Sequence, residues 1–187
     1  MIKDRLLLAA LLVPALLLLV PLIAMRFTDE VKWTGSDFVV AYVVLASAGL
    51  AFRFLFRRAG NPVARLAALA AVGTTLFMTW VNLAVGLVGR ESHPANAMYL
   101  GVLAIGVIGS LATGFRPDGM ARTFFAMAAA QLLVPAIALY VWQVEPVIPV
   151  AHVFGANAFF AFLFATTALL FRATADQPPQ PAAERSH

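Results

Sequence analysis

The stretch LLLAALLVPALLLLVPLIAM, residues 6–25, decides how the rest of the chain is read. It carries no charge and has the length that about 1.5 Å of rise per residue needs to cross about 30 Å of hydrocarbon. A secretory signal would have a shorter apolar region, about 7–15 residues, ending in small residues at a cleavage site. This run is longer and leads into Arg26-Phe27-Thr28-Asp29, so it reads as a retained first span. Pro14 and Pro21 lie on one face of it and predict a bend.

Comparable runs recur at 38–56, 63–88, 95–114, 120–142 and 150–171. Of the 187 residues, 62% are hydrophobic and 12% charged, and the mean hydropathy is +0.88. Soluble domains hold about 45–50% apolar residues, so the surface of this chain is not built for water. Backbone groups in hydrocarbon must be satisfied within a helix or a closed barrel, and the runs lack the in/out alternation of barrel strands. The expectation is an all-α fold: a polytopic transmembrane helical bundle of six spans over residues 1–173, followed by a polar, Pro-rich, disordered cytoplasmic tail at 174–187. Val147 to Val150 continues the apolar character across Glu145 and two prolines. Merging the last two spans there would give five and place the carboxy terminus outside.

Charge sets the orientation. Lys3, Arg5, Arg53, Arg57, Arg58, Arg65, Arg116, Arg122, Arg172 and Arg185 fall on the side of the amino terminus, and Arg26, Lys32 and Arg90 on the other. The positive-inside rule makes the first side cytoplasmic, so both termini are expected in the cytoplasm. The net charge of +4 is scattered over span ends rather than gathered on one face, which argues against a nucleic-acid partner and for the lipid bilayer as the chain's surroundings. Boundary signals agree with the runs. Asn61-Pro62 opens span three, Pro94 precedes span four, Pro146 and Pro149 precede span six, and Asp37 is placed to cap span two. Arg116-Pro117-Asp118-Gly119 reads as a tight turn.

Polar residues inside the spans are costly in lipid and are expected to face the interior. Asn82, Asn96, Tyr99 and Asn157 lie towards the outer side and Gln131 near the middle of span five, where an amide must find a partner. Thr75, Met78 and Asn82 share a helical face, as do Tyr99, Gly106 and Ser110. Together with the outer carboxylates, Asp29, Glu30, Asp37, Asn82, Glu91, Asn96, Gln131 and Asn157 form the candidate polar or ligand-binding cluster. His93, Glu145 and His152 lie near it. No metal-ligand spacing, nucleophile–base pattern, haem-type His pair or Gly-rich phosphate loop is visible, and Cys is absent. No catalytic residue, metal or cofactor is assigned, and the reading leans away from an enzyme. Gly106, Ser110 and Gly114 recur every four positions in span four, a small-residue face that serves close helix packing or a homo-oligomer contact.

Arg26-Phe27-Thr28-Asp29-Glu30-Val31, with Trp33-Thr34 and Asp37-Phe38, resembles a family of small uncharacterised bacterial inner-membrane proteins. Trp80-Val81-Asn82-Leu83-Ala84-Val85-Gly86, Pro94-Ala95-Asn96 and Leu170-Phe171-Arg172 are similar to the same family, so the likeness covers most of the chain. It implies a multi-span protein of the bacterial plasma membrane and brings no activity or site residue with it. The functional expectation is a non-enzymatic structural or accessory component that interacts with other membrane proteins. The alternative is a small-solute or cation transporter using the outer-half polar residues.

Overall fold

A computed structural model describes residues 2–28, 30–88, 93–146 and 148–175, and every regular element in them is helical. The elements are α1 (Ile2–Leu17), α2 (Leu19–Ala24), α3 (Gly35–Arg58), α4 (Pro62–Val85), α5 (Tyr99–Ala112), α6 (Pro117–Ala136) and α7 (Val150–Ala175). A 3-10 turn, Pro94–Met98, leads into α5, and a π-helical turn, Ile137–Val141, extends α6. Among the described residues six segments are long and apolar enough to cross a membrane: Leu7–Ala24, Gly35–Arg58, Pro62–Val85, Pro94–Ala112, Pro117–Val141 and Val150–Ala175. The six-span reading therefore holds at the level of length and composition. The expected tail from residue 176 onward lies outside the described residues, and Thr174 and Ala175 belong to α7.

The differences from the sequence reading have local causes. Span one is interrupted at Leu18, where α1 gives way to α2; Pro21 has no N–H for the Leu17 carbonyl four residues earlier. Span two starts at Gly35, and Asp37 caps it as expected, as the third helical residue paired with the N-cap Thr34. The Thr34 hydroxyl and the Asp37 backbone face each other, and the Asp37 carboxylate accepts the Thr34 N–H at 2.7 Å, a reciprocal capping box. The Asn61 side chain accepts the Ala64 N–H at 2.7 Å and so opens α4 as expected. α4 stops at Val85 because Gly86 turns left-handed, with φ 73°. Arg116-Pro117-Asp118-Gly119 is not the turn. The turn is made one step earlier, with Gly114 and Phe115 at φ 60° and 59°, and Pro117 takes the first helical position, which its fixed φ suits.

The chain divides into two compact units, Met1–Trp80 and Val81–His187. In the first, α1 packs on α3 through small residues. A Cβ at Gly49 would lie 3.2 Å from the Ala10 backbone, and the Tyr42 hydroxyl donates to the Leu11 carbonyl at 3.3 Å. In the second, α6 pairs with α7 along most of its length and with α5 on another side. The α7 face Val153, Asn157, Phe160, Phe164, Thr167 and Phe171 repeats every three or four residues and is buried throughout. Phe124 of α6 stacks on Phe171 at 5.7 Å between centroids and tilts against Phe164 at 6.1 Å. The opposite faces stay apolar and exposed, as at Val107, Ile108 and Leu111 of α5 and Phe162 of α7.

The small-residue face of span four is used inside the chain. A Cβ at Gly106 would meet the Met127 sulfur at 2.9 Å, and one at Gly109 the Thr123 hydroxyl at 2.6 Å; both partners belong to α6. Thr123 cannot easily retreat, because its hydroxyl is bonded to the Gly119 carbonyl at 2.9 Å. Gly101, by contrast, has nothing within 4 Å of an added Cβ. Gly109→Ala should thus lower the thermal stability of the detergent-solubilised protein by about 1–3 kcal/mol through overpacking. Gly101→Ala should leave it unchanged or raise it by up to about 1 kcal/mol, by helix propensity. Equal effects at the two positions would contradict the α5–α6 contact.

Candidate functional site

In the second unit the amides of Asn82, Asn96, Gln131 and Asn157 fall into two groups. Asn157 on α7 is the hub of the first. Its Oδ1 accepts the Tyr99 hydroxyl of α5 at 2.7 Å and the Gln131 Nε2–H of α6 at 3.0 Å, while its Nδ2 donates to the Val153 carbonyl at 2.9 Å. Asn157 and Gln131 are fully buried and Tyr99 nearly so. One amide oxygen therefore ties three helices together, in a place where an unmatched donor would have no water to turn to.

Gln131 is incompletely matched. Its Oε1 is buried and has no hydrogen-bond partner among the described residues. Pro135, four residues on, brings no N–H to the Gln131 carbonyl, and the helix then widens into the π-turn Ile137–Val141. Rotating the amide would not help, since it would set Oε1 against the Asn157 oxygen.

The second group is built around Asn96, in the 3-10 turn before α5. Its Oδ1 accepts the N–H groups of Leu87 and Val88 at 3.1 and 3.0 Å, and its carbonyl accepts the Asn82 Nδ2–H at 3.3 Å. Asn96 therefore satisfies the backbone exposed when α4 ends, and holds the start of the following connection against α5. The His93 Nδ1 caps this turn, accepting the Ala95 N–H at 3.1 Å. Asn82 Oδ1, like Gln131 Oε1, is buried without a partner among the described residues. Asn96 and Tyr99 are three residues apart, so the two groups follow one another along the same chain segment.

Of the eight residues singled out from the sequence, Asn82 and Asn96 meet, and Gln131 and Asn157 meet. Glu30 and Asp37 lie in the first unit, in the connection before α3 and in its first turn; Asp37 is spent on the capping box. Asp29 and Glu91 lie outside the described residues. Tyr99, expected to face the interior though outside the eight-residue cluster, belongs with the buried group. Pro135, not singled out from the sequence, is signalled by its place four residues after a mid-span Gln. Among the described residues no three His, Asp or Glu side chains come together as they would to hold a metal ion.

No protein-family model matches the chain, no curated protein matches it, and no solved structure matches it. The short signatures that resemble bacterial inner-membrane proteins gain no support from a family match. What stands is the class: a polytopic, all-helical membrane protein with six apolar spans and an internal polar network of Tyr99, Asn157 and Gln131.

The asymmetry of that network makes a prediction. Asn157→Leu strands the Tyr99 hydroxyl and the Gln131 amide together and should cost about 1–2 kcal/mol, near the upper end for hydrogen bonds between membrane helices. Gln131→Leu removes one bond but also an unmatched oxygen, and should cost less than about 1 kcal/mol. Unfolding of both variants in the same detergent checks the order; a larger loss at Gln131 would contradict it.

Proposed function

We propose that this chain is a non-enzymatic component of the bacterial plasma membrane that acts by associating with other membrane proteins. In this reading it crosses six times with both termini in the cytoplasm. Ten basic residues on one side of the spans against three on the other support that orientation. The observation that carries the functional reading is the use made of the interior polar groups. Tyr99 and Gln131 both donate to Asn157, and Asn96 bonds to backbone. Bonds of this kind hold helices in place.

What α5 offers outward is apolar. Leu100, Val107, Ile108 and Leu111 of α5 are each at least 60% exposed, a stripe on which lipid or another protein's helix could pack. With Gly106 and Gly109 already engaged by α6, the contact with a partner falls on this larger-residue stripe. A photo-crosslinking amino acid at Leu111, in membranes of the native host, should give one discrete adduct larger than the chain alone. Only lipid adducts, together with a monomer in mild detergent, would overturn the reading.

One observation favours a transporter as the second reading. A buried amide oxygen without a donor, beside a proline and a π-turn, is what a ligand-accepting point in a span would look like. Purified protein in sealed vesicles would then conduct a monovalent cation or a small protic solute, with flux falling at least about tenfold in Gln131→Leu, as loss of an essential ligand does. Flux equal to that of empty vesicles removes this reading.

A further inference from the structure

The first unit contains an open groove of about 690 Å3 whose lining includes Leu18, Pro21, Trp33, Leu45, Gly73 and Trp80. It lies where α1 breaks into α2, and its lining is apolar apart from the two indole N–H groups, so its depth suits hydrocarbon. Two of the lining residues carry donors. Trp33 and Trp80 approach each other at 6.4 Å between centroids, and neither indole N–H has a partner among the described residues. Arg26 follows the lining residue Ala24 by two positions, and Glu30 and Lys32 flank the lining residue Val31; all three are exposed. Neither Arg26 nor Lys32 is ion-paired with a described residue. The lining is thus apolar but for two indole donors, and exposed charges of both signs stand within two positions of lining residues along the chain, which is the pattern of an amphiphile's site.

We propose that the groove holds one acyl chain of a phospholipid whose headgroup bears both a phosphate and a primary ammonium. In this assignment Arg26, Lys32 and the indole N–H groups pair with the phosphate, and Glu30 complements the ammonium. Gly73 gives a reason to read the groove as occupied. A glycine in a helix interior costs up to about 1 kcal/mol against alanine, and, its own helix backbone apart, nothing lies within 4 Å of where its Cβ would be. Its smallness is therefore not demanded by helix packing in this chain, while a chain lying in the groove would demand it.

The test is native mass spectrometry of the protein released from nanodiscs of equimolar phosphatidylethanolamine and phosphatidylglycerol with identical acyl chains. The wild type should retain one phosphatidylethanolamine per chain. Gly73→Leu has room for its side chain and fills the groove, so it should lower retention at least about tenfold, since each methylene shut out is worth about fourfold. Its thermal unfolding should match the wild type; if it does not, Leu45→Trp fills the same space from α3 and replaces it. Arg26→Gln with Lys32→Gln should lower retention while leaving the groove intact. Equal retention in wild type and the filled-groove variant would mean annular lipid only and would overturn the proposal. Equal retention of the phosphoglycerol lipid would overturn the headgroup assignment.

Discussion

The absence of water from a bilayer's hydrocarbon core is the constraint from which this structure follows. Each backbone N–H and C=O at that depth must find its partner inside its own helix, so long apolar segments can be helices and little else. The same constraint governs the side chains. Packing apolar surface against apolar surface gains little when the alternative is lipid, so helix pairs must gain by fitting closely and by pairing their few polar groups. Both devices are present. Gly106 and Gly109 bring α5 close against α6, and the Asn157 amide draws α5, α6 and α7 to one point.

The ends of the helices show how the chain leaves that environment. Where α4 stops, Gly86 turns left-handed and two freed N–H groups, those of Leu87 and Val88, pass to the Asn96 side chain. Where α3 starts, Thr34 and Asp37 satisfy each other's backbone. At the opposite end of α3, Arg58 lies over the Phe54 ring at 4.1 Å and Arg65 of α4 over Phe56 at 5.2 Å. In each case the negative face of the ring stabilises the guanidinium charge.

Much of this was legible in the sequence, because hydrophobic length and charge placement are properties of single segments. The six spans, the Asn61-Pro62 start and the need for interior partners at Asn82, Asn96, Gln131 and Asn157 could all be read without coordinates. What could not be read depends on relations across long separations. Tyr99 and Asn157 are 58 positions apart, and no local spacing announces that they meet. The small-residue face of α5 was equally compatible with a second copy and with α6, and only the positions of Met127 and Thr123 decide its use. At Pro117 the same residues that mark a turn also mark a helix start, so propensity alone could not separate the two.

The account stands on the outward faces of these helices being in lipid. The chain contains no Cys, so single cysteines at Leu16, Val107 and Phe162, each at least 60% exposed, can carry a spin label as the sole thiol. Collision rates with dissolved oxygen and with a water-soluble nickel chelate then report the medium directly. High oxygen and low nickel accessibility at all three, in reconstituted membranes, is the result this structure requires. Nickel accessibility at Val107 or Phe162 as high as in an aqueous loop would contradict it.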